Sequence, residues 1–343
     1  MRKYLNTLFV TTQGAYLNKE GEAAVVSVDH ETKLRVPVHT LGSIVCFGNV
    51  MCSPFLMRHC AENGVFISFL SEYGRFLARV QGPVSGNVLL RREQYRQADD
   101  LEGSMRVARA IVTAKTCNAR TVCQRAARDH GADGSMRIVE MAVRELARIT
   151  KTVEKAEDLD KLRGVEGEAS RAYFAAFDHL IRAQKEDFAF TKRSRRPPMD
   201  NINALLSFVY TLLVHDCEAA LEAVGLDPQV GFLHRDRSGR PSLALDLMEE
   251  FRAFFADRLV LSLVNLKQVQ GKGFRKTESG AVEMDDETRK TVIVAYQKRK
   301  QEEMNHPFLN ESAHLGVFFH LQAMLLARYL RGDLDGYPPV FYR

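Results

Sequence analysis

Three side chains in this chain, Glu166, His234 and Glu249, are of the types that hold a hard divalent cation. Each stands in a distinctive setting. Glu166 lies in Leu162-Arg163-Gly164-Val165-Glu166-Gly167, and His234 in Gly231-Phe232-Leu233-His234-Arg235-Asp236. Glu249 lies in Leu243-Ala244-Leu245-Asp246-Leu247-Met248-Glu249-Glu250-Phe251-Arg252. Two carboxylates and one imidazole suit magnesium or manganese. In a chain with a net charge of +5, such a cation points to phosphodiester chemistry. The charge is modest: it permits nucleic-acid binding without demanding it, so clustering matters more than the total.

Each residue also has a plainer explanation. Helical spacing puts Leu162, Val165, Ala169, Tyr173, Ala176, Phe177 and Leu180 on one face, with Glu166 at its edge and Glu168 on the opposite side. A carboxylate at the edge of a buried face needs a partner. A metal supplies one; so does a salt bridge, or access to water. Gly164 and Gly167 cost a helix about 1 kcal/mol each, and are expected where another backbone or a ligand approaches. Asp246 and Glu249 are three apart and share a helix face, with Leu247, Met248, Phe251, Phe254 and Phe255 expected on the core side. That pair suits an oxygen-preferring cation, but a solvated acidic face near a helix start would look the same. His234 is followed by Arg235, Arg237 and Arg240, a density that suits phosphate contacts. An exposed loop balanced by Asp236 is the alternative. His234-Arg235-Asp236 resembles a kinase catalytic loop, but Pro241 stands where a kinase places asparagine, and no Asp-Phe-Gly follows. His215 falls in a buried-helix pattern and His179, His314 and His320 in apolar helices, where core or boundary roles are expected.

The elements that must position these residues divide near residue 90. Before it, Leu8–Val10, Ala24–Val28, Leu34–Val38, Ser43–Phe47, Val65–Leu70 and Arg75–Val80 read as strands. Asn18–Gly21 and Asp29–Thr32 read as turns, and Ser53-Pro54 opens a helix that stops near Asn63-Gly64. After it, helices are expected over Met105–Ala127, Met136–Val153, 160–183, 201–224, 243–266, 286–304 and about 312–331. Lys192-Arg193-Ser194-Arg195-Arg196 and Gly271-Lys272-Gly273-Phe274-Arg275-Lys276 form two basic loops. The expected class is α+β: a small β-rich domain over 1–90 and a larger all-α domain over 91–343.

At 343 residues, 45% hydrophobic and 27% charged, the composition is that of a globular protein. Six cysteines form no Cys-x-x-Cys pair, and the first residues carry no apolar leader, so free thiols in a reducing cytoplasm are expected. The apolar stretch Leu205–Val214 is shorter than the roughly 20 residues a bilayer span needs, so no membrane is implied. No Walker-type phosphate loop, G-x-G-x-x-G, G-x-S-x-G or H-E-x-x-H occurs.

Taken in order, the segments resemble the CRISPR-associated integrase family that inserts new spacers into CRISPR arrays (CRISPR-associated protein one). Leu162–Gly167 with Ala172-Tyr173-Phe174 resembles its glutamate motif. Arg195-Arg196-Pro197-Pro198, followed by Asn203–Ser207 and Tyr210, resembles its central motif. His234 followed by Pro241–Arg252 resembles its histidine and acidic motif. The resemblance covers essentially the whole chain. It implies that Glu166, His234 and Glu249 are catalytic metal ligands for magnesium or manganese, with Asp246 behind them. It implies a homodimer built on the β domain, joined on double-stranded or branched DNA by a small companion, CRISPR-associated protein two. The implied reaction is transesterification: a 3′-hydroxyl of incoming DNA attacks a phosphodiester at the repeat boundary. Arg193, Arg195, Arg196, Arg235, Arg237 and Arg240 would hold phosphates. A stand-alone metal-dependent nuclease on branched or single-stranded DNA would share the site, and a non-catalytic DNA scaffold would not need it.

Overall fold

The computed structural model describes residues 7–72, 76–80, 82, 88–131 and 136–342. Arg75, placed in a strand above, lies outside them, as do Met1–Asn6. The first part is two small sheets. One orders β1 (Thr7–Val10), β5 (Ser43–Phe47), β7 (Phe66–Leu70) and β8 (Phe76–Val80). The other orders β4 (Glu31–Pro37), β3 (Ala23–Val28), β2 (Tyr16–Glu20) and β6 (Met51–Cys52). Asn18–Glu20 is strand rather than turn, and the bend at Asp29-His30 uses two residues at φ 51° and 65°.

Period-2 alternation explains how β5 serves two cores. Ile44 and Cys46 face inward between the sheets, with Leu17, Ala24 and Val26 and with Leu56 and Cys60 of α1 (Pro54–Glu62). Val45 and Phe47 face the other way, into the helical core, where Phe47 lies 5.9 Å from the Phe208 ring. The β-rich part is therefore packed directly onto the helices. All six cysteines are free, and burial pushes the Cys46 and Cys60 thiols up to about 12.

The helical part begins with α2 (Val88–Asp99) and α3 (Leu101–His130), then α4 (Arg137–Lys155) and α5 (Leu159–Leu180). In α4, Val139, Ala142, Leu146, Ile149 and Val153 form the stripe that packs on its neighbours. Asp158 starts α5 by accepting from Lys161 N at 2.7 Å. Next is α6 (Asn201–Val224), capped by Asp200 and ended by Gly225 at φ 89°. By length and composition α6 is long and apolar enough to cross a membrane, but its apolar residues are largely buried among the other helices.

The segment expected as one helix over 243–266 is instead three pieces: α7 (Ser242–Glu249), a π-helix (Arg252–Asp257) and α8 (Arg258–Asn265). The hairpin β9 (Phe274–Lys276)/β10 (Val282–Met284), α9 (Asp286–Lys300), the pair β11 (Glu303–Asn305)/β12 (Ser312–His314) and α10 (Leu315–Leu330) follow. The helices expected over 286–304 and 312–331 thus each lose residues to the β11/β12 pair, and His314 sits on β12 rather than in a helix.

Candidate active site

Glu166 lies on α5, beside the buried stripe of Leu162, Ala169, Tyr173, Ala176 and Phe177. Val165 is only partly buried. Glu168 points away and pairs with Arg148 at 2.5 Å on the surface. Beside Glu166 the glycines are not crowded. A Cβ on Gly164 would meet no atom within 4 Å, and one on Gly167 only Arg171 Nη1 at 3.8 Å. No neighbouring backbone explains them, and the surface there is open.

The acids of α7 depart from the simple two-faced helix. Asp246 and Glu249 are 0% and 4% exposed, as buried as Leu247 and Met248, so there is no solvated acidic face. Buried carboxylates must be compensated, and each is. Asp246 accepts backbone N–H bonds from Phe232, Leu233 and His234 at 2.7, 2.9 and 3.0 Å, and its Oδ1 lies 2.6 Å from His234 Nδ1. Asp246 thereby holds the Nδ1 edge of the His234 ring and leaves Nε2 directed away from it. Gly231 makes this wrap possible: a Cβ there would stand 2.8 Å from Asp246 Oδ2 and from the Ser242 carbonyl carbon. Arg163 Nε ties the same loop to α5 by donating to the Leu233 carbonyl at 2.6 Å.

Glu249 is held by two cations. Arg252 Nη1 donates to its two oxygens at 2.8 and 3.0 Å, and Lys115 Nζ lies 2.8 Å from Oε2. Burial alone would raise this carboxyl; Arg252, Lys115 and His234 together outweigh it and hold Glu249 well below the usual carboxylate range. Lys115, from α3, also donates to Glu166 Oε1, which accepts from Ser170 Oγ at 2.9 Å. One ammonium therefore joins Glu166 to Glu249.

Among the described residues, no three histidine, cysteine, aspartate or glutamate side chains already enclose a metal position. Lys115 Nζ stands where the carboxylates converge. The donor set nonetheless fits a hard divalent cation: two carboxylates already share one positive charge, and Asp246, on the same helix as Glu249, orients the His234 imidazole. Lys115 and Arg252 went unassigned in the sequence. Arg252 ends the acidic motif, and a lysine amid Ile111, Val112 and Ala119 of α3 was a detectable signal.

The six arginines fall into different roles. Arg193 is turned inward, donating to Asn203 Oδ1 at 2.6 Å and Ser207 Oγ at 3.1 Å, with its guanidinium 5.3 Å from the Tyr210 ring centre. Arg235 is exposed and pairs with Asp160 at 2.7 Å. Arg195, Arg196 and Arg237 are exposed, and Arg240 is partly buried. Burial lowers the Arg240 guanidinium, and Arg237, Arg195 and Arg196 lower it further against the pull of Asp246. The loop of Arg195 and Arg196 thus lies near enough to Arg237 and Arg240, on the His234 loop, for their charges to act on Arg240.

The α7/π-helix junction is braced from behind by residues 337–342. Buried Glu250 accepts from Tyr337 Oη, from Gln322 Nε2 at 2.8 Å and from Val340 N at 2.8 Å. Asn118 Nδ2 donates to the Glu250 and Val340 carbonyls at 2.8 and 2.9 Å. Tyr342 stacks on Phe254 of the π-helix at 5.0 Å and 6°.

Comparison with known proteins shows the family and the fold. The family described as CRISPR associated protein Cas1 matches residues 8–298. A relative from Chlorobaculum tepidum, named CRISPR-associated endonuclease Cas1 1, is 55% identical over 343 residues, covering 100% of both chains. A Cas1 protein from Thermotoga maritima superposes with a TM-score of 0.82 at 25% identity, covering 96% of this chain and 99% of that one. A casposase bound to its integration product shares the fold, with a TM-score of 0.82 at 22% identity over 98% of this chain and 94% of its own. With a β-rich start, a helical remainder and carboxylates converging from α5 and α7, the chain belongs to the CRISPR-associated Cas1 endonuclease family.

Proposed function

We propose that Glu166, His234 and Glu249 hold a divalent cation, magnesium or manganese, and that the chain joins spacer DNA to a repeat array by transesterification. The observation that carries this reading is the convergence of Glu166 and Glu249 on one ammonium, with His234 oriented by Asp246. When bound, the cation supplies Lewis-acid activation of a 3′-hydroxyl and neutralises charge building at phosphorus. The protein's own residues do the rest. Asp246 fixes the imidazole so that Nε2 faces away from it. Arg252 keeps Glu249 ionised and aimed within a buried setting. Arg195, Arg196, Arg237 and Arg240 hold the DNA backbone, Arg235 contributes at their edge, and Arg193 shapes the loop from inside.

The same reading includes a homodimer through the β-rich part and assembly with a small companion adaptation protein, Cas2, in a reducing cytoplasm. Exposed Tyr16, Met51 and Phe55 on neighbouring β2, β6 and the start of α1 support a contact surface there. The six free thiols support the compartment. The casposase of this fold that holds an integration product supports joining as the chemistry.

The test is a joining assay with manganese and a duplex bearing a free 3′-hydroxyl. The wild-type chain is expected to join strands, and Glu166→Gln to lose about a thousandfold or more with its helical content unchanged. Hydrolysis without any joining would favour the stand-alone nuclease. Joining and manganese binding that both survive Glu166→Gln would favour a scaffold and sink the site.

A further inference from the structure

We propose that Lys115 is a built-in counter-ion of this site, and that a divalent cation binds by displacing its ammonium from between Glu166 and Glu249. The inference rests on the reading of those two carboxylates as metal ligands. Its physical basis is a charge count at the gap. Glu166 and Glu249 contribute two negative charges, and Lys115 and Arg252 contribute two positive ones. Counted over these four side chains alone, the gap is neutral without metal, so the fold can bury it. Adding a divalent cation beside an undisplaced ammonium would leave two uncompensated positive charges in a largely buried place, which is costly.

The two cations are not equally free to leave. Arg252 is 7% exposed, donates to both oxygens of Glu249 and lies with its guanidinium 4.6 Å from the Tyr210 ring centre. It is fixed on both sides. Lys115 is a compact charge on a flexible four-carbon stem, and its ammonium rests on the two carboxylates the metal needs. The Glu166 side chain is 27% exposed, so the gap reaches solvent on the α5 side. After exchange the gap carries one net positive charge, which one phosphodiester can neutralise. Lys115 is thus a positioning residue that keeps the carboxylates together until metal and DNA replace it.

Two measurements test this, and neither depends on turnover. The first uses the unmodified chain. Acetylation of lysines, followed residue by residue by mass spectrometry, is expected to be slow at Lys115 without metal and several-fold faster with saturating magnesium. Unchanged labelling at Lys115 would overturn the proposal. The second titrates manganese by electron paramagnetic resonance. Lys115→Met is expected to bind manganese about tenfold tighter than wild type, because no ammonium competes. Equal or weaker binding by a folded Lys115→Met chain would overturn it. If that variant does not fold, labelling of the wild-type chain decides. Manganese binding that depends on Glu166 while Lys115 labelling stays fixed sinks the exchange alone. No manganese binding by the wild type sinks the metal site with it.

Discussion

Asp246 shows most directly how a single side chain sets the chemistry of another. Three backbone N–H groups and the His234 ring fill its oxygens, so it cannot serve as a free ligand, and its work is to orient His234. Asp246→Asn keeps the shape but sets an amide N–H against the imidazole N–H. The expected outcome is a loss of about 10- to 100-fold in manganese affinity, measured by titration, with the fold intact by circular dichroism. An unchanged affinity would mean that His234 is not a ligand. At this scale the sequence revealed the types and the candidates, and even the split between Glu166 and Glu168, because helical periodicity decides which side chain faces a core. It did not reveal Lys115 or the depth at which Asp246 and Glu249 are buried. Both depend on what packs over α7 from distant parts of the chain, and periodicity along one segment carries no record of that.

Among the elements, the loop from Gly231 and the α7/π-helix segment matter most, since together they carry His234, Asp246, Glu249 and Arg252. The loop can wrap Asp246 only because residue 231 has no side chain. Gly231→Ala forces its Cβ to 2.8 Å from Asp246 Oδ2 and the Ser242 carbonyl carbon. It is expected to lower stability by about 1–3 kcal/mol in urea unfolding and to weaken manganese binding with it. Stability equal to wild type would show that the loop relaxes without cost. The π-helix was invisible in the sequence because Phe251, Phe254 and Phe255 satisfy a normal helical stripe nearly as well. Within the wider turn, Arg252 and Asp257 both contact Tyr210, a residue of α6. The pair β11/β12 was missed for a related reason: three-residue strands are too short to show alternation.

Across the whole molecule, the change of character near residue 90 was legible from composition, and a small β-rich domain over 1–90 was the expectation drawn from it. Val45 and Phe47, which reach into the helical core, and the Arg79–Glu222 contact at 2.5 Å between β8 and α6 tie the two parts to each other. Burial raises the Glu222 carboxyl to about 7, against the pull of Arg79, with Glu218 and Asp227 adding to the rise. The folded chain therefore binds this proton more tightly than the unfolded chain, and Glu222 makes stability fall as pH rises from about 4.5 to about 7. Glu222→Gln is expected to remove about 2 kcal/mol of that fall, read as the difference between urea midpoints at pH 5 and pH 8. An identical pH dependence in the variant would place the Glu222 proton elsewhere. For DNA, Arg195→Ala, Arg196→Ala and Arg237→Ala are each expected to lower the salt slope of binding by about 1, across all sequences tested. The claim on which the rest depends is that α5, α7 and the His234 loop converge on one cation. The most direct measurement is the anomalous difference map of crystals soaked in manganese. A peak about 2.0–2.3 Å from oxygens of Glu166 and Glu249 and from His234 Nε2 is the predicted result. A peak elsewhere, or none in crystals whose solution protein joins DNA with manganese, would contradict it.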